Sequence, residues 1–135
     1  MSYSGVHTSS AYIILLSPLP MAVNIPLAIG SHYAMDLIGE AYYGSRESEL
    51  LIEASFLTIQ FLVAYNAGNL QLMWYALVLG NLIDFLDKWV APKLGFEANT
   101  WFSCHYSGYS KIQLDFNWTI GIGIAGVLLC YLIGG

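Results

Sequence analysis

Charge is what this sequence has least of. Only 10% of its 135 residues are Asp, Glu, Lys or Arg, against about 25% in an average soluble domain. Basic residues are the scarcest, four against nine acidic ones, for a net charge of -5. So few cations build no surface able to hold a phosphate backbone, which excludes nucleic-acid binding. The two cysteines stand in unlike settings, Cys104 beside a histidine in a polar stretch and Cys130 inside an apolar run, so no disulfide framework is readable. The first residues also lack the positively charged start of a secretory signal, so targeting is expected to come from the apolar segments themselves. No internal repeat or low-complexity tract is visible.

What the sequence has in abundance is apolar side chains, 57% of the total, with a mean hydropathy of +0.60. That composition is expected of a membrane protein. A helix crossing the hydrocarbon core needs about 20 mostly apolar residues, and four stretches qualify: about 10–39, 50–65, 70–90 and 112–133. The expected fold is therefore all-α, a single integral-membrane domain over 1–135 with four transmembrane helices and the lipid bilayer as its first partner. Pro18, Pro20 and Pro26 interrupt the first stretch. Each proline removes a backbone donor and clashes with the preceding turn, so one broken pass is expected, with a joint at Ser17-Pro18-Leu19-Pro20. Asn66-Ala67-Gly68-Asn69 reads as a tight turn, and Gly121, Gly123 and Gly126 read as packing notches.

Four passes put the 40–49 and 91–111 connections on one side and both termini on the other. Arg46, Lys88, Lys93 and Lys111 all fall on the first side, which the positive-inside rule makes cytoplasmic, leaving both termini non-cytoplasmic. Tyr42, Tyr43, Trp89, Trp101, Tyr106, Tyr109 and Trp118 fall where an interfacial aromatic belt is expected.

Ionisable residues inside spans are costly and therefore informative. His32 and Asp36 are one helical turn apart, with Glu40 a turn further, and Asn81, Asp84 and Asp87 share a narrow arc of the third helix. Both stripes lie at span ends facing the same side, where the long connection brings Cys104 and His105. His32, Asp36, Asp84, Asp87 and His105 together offer an oxygen and nitrogen ligand set for Zn²⁺, Mn²⁺ or Fe²⁺. Such a site generates a nucleophile from bound water, with Asp84 and Asp87 as the candidate catalytic carboxylates. Plainer readings stand beside this one. Asp84 and Lys88 have ion-pair spacing, Asp87 can be an interfacial residue in water, His32 can bond a carbonyl freed by the proline joint, and Cys104 can be inert. Glu53 and Asp115 read as interfacial or supporting groups. His7 precedes the first span and is expected on the opposite side, a bystander.

The segments Ser31-His32-Tyr33-Ala34-Met35-Asp36-Leu37 and Gly80-Asn81-Leu82-Ile83-Asp84-Phe85-Leu86-Asp87-Lys88 resemble those of a family of small bacterial inner-membrane metal-dependent hydrolases. In that family S-H-x-x-x-D and G-x-L-x-P-D-x-x-D-K-like stretches recur ahead of a downstream histidine, a part that His105 can play. Asn81-Leu82-Ile83 departs from the proline-containing form, and Cys104-His105-Tyr106-Ser107 stands where the family has arginine-glycine-x-threonine-histidine-serine. The resemblance implies a bacterial inner membrane, although the composition fits an organellar or viral one equally. The two functional expectations are a metal-dependent hydrolase acting at the cytoplasmic leaflet and a noncatalytic accessory subunit of a larger membrane complex, with other membrane subunits as partners.

Overall fold

In a computed structural model, which describes residues 4–39, 46–106, 108–113 and 115–134, the chain is helical almost throughout. The long helices are α1 (Ser4–Leu15), α2 (Met21–Asp36), α3 (Arg46–Asn66) and α4 (Leu70–Gly80). Short pieces follow: α5 (Leu82–Phe85), a π-helical turn at Leu86–Val90, α6 (Ala91–Lys93) and a 3₁₀ turn at Ser103–His105. The last helix is α7 (Phe116–Gly134). Glu40, Tyr42 and Tyr43 lie outside the described residues.

The expected single broken pass over 10–39 is instead an antiparallel helical hairpin. Ser10 Oγ lies 3.0 Å from Ser31 Oγ, and the two helices pack along their length. The reversal has a local cause. Pro18 and Pro20 stop α1, and the Asn24 amide donates to the carbonyls of Ser17 and Leu19 at 3.2 and 3.1 Å while accepting the Ser17 hydroxyl at 2.8 Å. With the freed carbonyls satisfied by one buried side chain, the prolines make a turn rather than a kink. Because α1 begins at the end where α2 finishes, the termini separate. Ser4 N donates to Glu53 Oε1 at one end of the bundle, and the Asn69 amide donates to the Gly134 carbonyl at the other. The described ends, Ser4 and Gly134, therefore lie at opposite ends of the bundle, where four passes would have put them at the same one.

Helix α1 is the axis of the bundle and packs against α2, α3, α4 and α7. Its small residues permit this: Gly5, Thr8, Ser9 and Ala11 are all buried. Gly126 receives Ser9, and Gly123 lies against the Phe56 ring, so two of the three predicted notches are filled, while Gly121 opens outward. The turn at 66–69 forms as expected, with Gly68 at a φ of +75°. A two-residue parallel pairing, β1 (Ile38–Gly39) with β2 (Ile112–Gln113), ties the end of α2 to the approach to α7.

Polarity is distributed inside out. His7, Thr8, Asn24, His32, Asp36, Gln60 and Asp87 are buried, while Leu51, Leu62, Val78, Trp89 and Leu132 stand exposed. Two helical stretches, Glu47–Asn66 and Asn117–Gly134, are long and apolar enough to cross a membrane by length and composition.

Candidate metal centre

The site is assembled where α1 begins and where α2 and α4 end. His32 and Asp36 share one face of α2, as their spacing requires. The ring of His32 is fixed from behind, because its Nδ1 donates to the Gly80 carbonyl at 3.0 Å and leaves Nε2 directed into the site. Gly80 also sets how near α1 can come, since a Cβ there would meet the His7 carbonyl oxygen at 2.5 Å.

Beyond Gly80 the helix is interrupted at Asn81, whose amide donates to Thr8 Oγ1 at 3.0 Å and to the Leu77 carbonyl at 2.9 Å. Asp84 then projects from α5 toward α2, and the π turn shifts the phase of the residues that follow. Asp87, within that turn, points away from Asp84 into the 97–102 loop. Its Oδ1 accepts the Thr100 and Trp101 amides, both at 2.9 Å, and its Oδ2 accepts the Phe102 amide at 3.2 Å. Asn99, at a φ of 63°, bends the loop around the carboxylate. Asp87 Oδ2 also receives His105 Nδ1 at 2.6 Å, so this imidazole too presents Nε2 to the site.

The two imidazoles and two carboxylates are brought together as a result. His32 Nε2 lies 3.0 Å from Asp36 Oδ2, 3.3 Å from Asp84 Oδ1 and 3.3 Å from His105 Nε2. His105 Nε2 lies 2.8 Å from Asp84 Oδ1 and 3.6 Å from Asp36 Oδ2. A tetrahedron with metal–ligand bonds of about 2.0–2.1 Å has edges of about 3.3 Å, so these separations suit one divalent ion.

Of the five residues singled out in the sequence, His32, His105, Asp36 and Asp84 are thus brought together, each carboxylate against both imidazoles. The fifth, Asp87, stands behind His105. Carboxylate–histidine pairs of this kind orient metal-binding imidazoles.

Cys104 Sγ lies within 4.8 Å of ligand atoms of His32, Asp36 and His105. Burial, with Asp36 nearby, pushes its thiol up to about 12, so the sulfur is protonated at neutral pH. Burial disfavours charge on His105, but the hydrogen bonds to Asp84 and Asp87 outweigh it and raise its pKa above the ordinary imidazole value. Glu53 accepts hydrogen bonds from Ser4, and Asp115 caps α7 by accepting the Trp118 amide at 3.0 Å. Neither enters the site.

His7 was not expected here, and it is the main correction. Its ring stacks on His32 with centroids 3.8 Å apart, and its Nε2 is 3.3 Å from Asp36 Oδ1 and 3.9 Å from Asp84 Oδ2. A signal was present in the sequence, because His7 and His32 are nearly equidistant from the Ser17–Pro20 segment. Reading that segment as a reversal makes the two histidines neighbours.

A cavity of about 280 Å³ opens beside Asp84, lined by Ser4, Glu53, Asn81, Phe85, Lys88 and Trp89. Larger grooves of about 490 and 540 Å³ are lined by apolar side chains of the outer surface and hold none of the site's histidines or carboxylates. Compared with protein-family models, with curated proteins and with solved structures, the chain matches none of them.

Proposed function

We propose that the chain is an integral-membrane, metal-dependent hydrolase acting on a phosphoester group at the cytoplasmic leaflet. The observation that carries the reading is that Asp36 Oδ2 and Asp84 Oδ1 each lie 2.8–3.6 Å from both His32 Nε2 and His105 Nε2, which are themselves 3.3 Å apart. Zn²⁺, Mn²⁺ or Fe²⁺ bound by these atoms supplies Lewis acidity and lowers the pKa of a coordinated water toward neutrality. The chain's own groups do the rest. The Gly80 carbonyl and Asp87 hold both imidazoles with Nε2 directed inward, and Asp87 serves as a positioning residue rather than a ligand. Asp84, 17% exposed where Asp36 and Asp87 are closed off, is the carboxylate ligand that an entering water or ester meets first. Lys88 Nζ, 3.4 Å from Asp84 Oδ1 on the cavity wall, offers a charge for an anionic ester oxygen.

The membrane part of the reading is supported by the two spanning-length helices, by the exposed apolar perimeter, and by Trp89, Trp101, Tyr106 and Trp118, which are exposed near the site. The test is metal analysis of detergent-purified protein together with hydrolysis of a chromogenic phosphodiester. At least one tightly held equivalent of metal is expected, with hydrolysis abolished in Asp36→Ala. Protein that takes up no metal, and whose Asp36→Ala and Asp87→Ala variants are indistinguishable from the parent, overturns it.

A noncatalytic accessory subunit is the second reading. It is favoured by Gly30 and Gly121, which leave open notches on the outer surface where another helix can seat. Stoichiometric co-purification with a larger chain and no metal supports it over the enzyme.

A further inference from the structure

His7 is the one buried imidazole of the cluster that the four-ligand site leaves unused. It is fully buried, yet neither of its ring nitrogens has a partner in hydrogen-bond geometry among the described residues. Its Nε2 faces only the oxygens of Asp36 and Asp84, outside hydrogen-bond geometry, so this buried ring is left unsatisfied in the first turn of α1 as a side chain prepared for a cation is.

The carboxylates around it are arranged in pairs. Asp36 turns Oδ2 toward His32 Nε2 at 3.0 Å and Oδ1 toward His7 Nε2 at 3.3 Å. Asp84 does the same, with Oδ1 3.3 Å from His32 Nε2 and Oδ2 3.9 Å from His7 Nε2. The two rings lie nearly parallel, 13° apart in plane and 3.8 Å apart in centroid. Each stacked imidazole therefore faces one oxygen of both carboxylates, the arrangement of donors in which two carboxylates bridge a pair of ions.

We infer that the centre is dinuclear: a second divalent cation is held by His7 Nε2, Asp36 Oδ1 and Asp84 Oδ2, with Asp36 and Asp84 bridging it to the first. This rests on the metal-site reading above and deepens it. The second position has three protein donors where the first has four, so it keeps coordination sites for water or an ester oxygen. Two dications exceed the charge of Asp36, Asp84 and Asp87 together, and the excess suits an anion such as a phosphoester, which a two-metal site clamps at both the attacking and the leaving oxygen.

The experiment is a titration of metal-stripped, detergent-purified full-length protein with Mn²⁺ alone, read by metal stoichiometry and electron paramagnetic resonance. Two equivalents per chain are expected, with the spectrum passing at saturation from a six-line signal to that of an exchange-coupled pair. His7→Ala is expected to retain one equivalent and the uncoupled six-line signal. A single equivalent in the unmodified protein overturns the dinuclear centre and leaves the mononuclear hydrolase standing, whereas no uptake overturns both. Two equivalents without coupling, or a folded His7→Ala protein that still binds two, also overturns it. If His7→Ala does not fold, the stoichiometry and coupling of the unmodified protein decide alone.

Discussion

The two ends of the bundle are made from the same helices and opposite materials. Near the Ser17–Pro20 and Asn66–Asn69 turns, α1, α2, α3, α4 and α7 bury Tyr12, Leu15, Ala28, Ala64, Met73, Ala76 and Cys130, an apolar core with small residues at the crossings. Toward the other end, α1, α2 and the α4–α5 segment enclose His7, His32, Asp36 and Asp84, with His105 and Asp87 closing the cluster. Burial at the first end is favourable in its own right. Burial at the second removes ionisable groups from water and is repaid only where they are well paired or bind an ion. The difference teaches that the apolar end provides the framework and the polar end is the part whose energetics depend on what binds.

Substitutions at the polar end should therefore act first on metal, and those at the apolar end on folding. The largest effect is expected for Asp36→Ala, which removes an oxygen from the ligand set and should abolish stoichiometric metal in purified protein. Retention of the full metal content would make the two ends equivalent. Next comes Gly80→Ala, which drives a methyl group against the His7 carbonyl. Overpacking of this kind costs about 1–3 kcal/mol, and the loss should appear in thermal unfolding in detergent, together with weakened metal binding. Asp87→Asn is milder: the fold persists, but the clamp on His105 weakens, and isothermal titration should find metal affinity lowered about 10–100-fold. On the outer surface Leu62→Ala should shift stability by less than about 0.5 kcal/mol with metal unchanged, because the side chain is exposed. The smallest effect is expected of Cys104→Ser. His32, Asp36, Asp84 and His105 already supply four donors, and a hydroxyl keeps nearly the size of the thiol, so metal content should match the parent. A drop would place sulfur in the coordination sphere.

Much of this polar end could be read from the chain. The spacing of His32 and Asp36, and the position of Asp84 at the end of the third apolar stretch, follow from helical periodicity and carry over directly into the structure. His105 could be proposed because its connection had to return to the same end. Asp87 could be named but not given its place, because the π turn that redirects it comes from hydrogen bonding with no signature in hydropathy. His7 was lost for a definite reason. Prolines inside an apolar stretch are compatible with a kink and with a reversal, and here the choice is made by the Asn24 side chain, which satisfies the carbonyls of the turn. The apolar stretches at 50–65 and 112–133 correspond to α3 and α7, but the third appears as α4 followed by shorter pieces because Asn81 breaks it.

Gly80 touches both of the stacked histidines. Its carbonyl aims the His32 ring, and its missing side chain admits the backbone of His7. A single peptide unit of α4 thus adds to the stacking that holds the two imidazoles in register, so a drift of α4 displaces both at once. A cluster wired in this way tolerates sliding of its surroundings as a unit, yet has no independent adjustment for either ring.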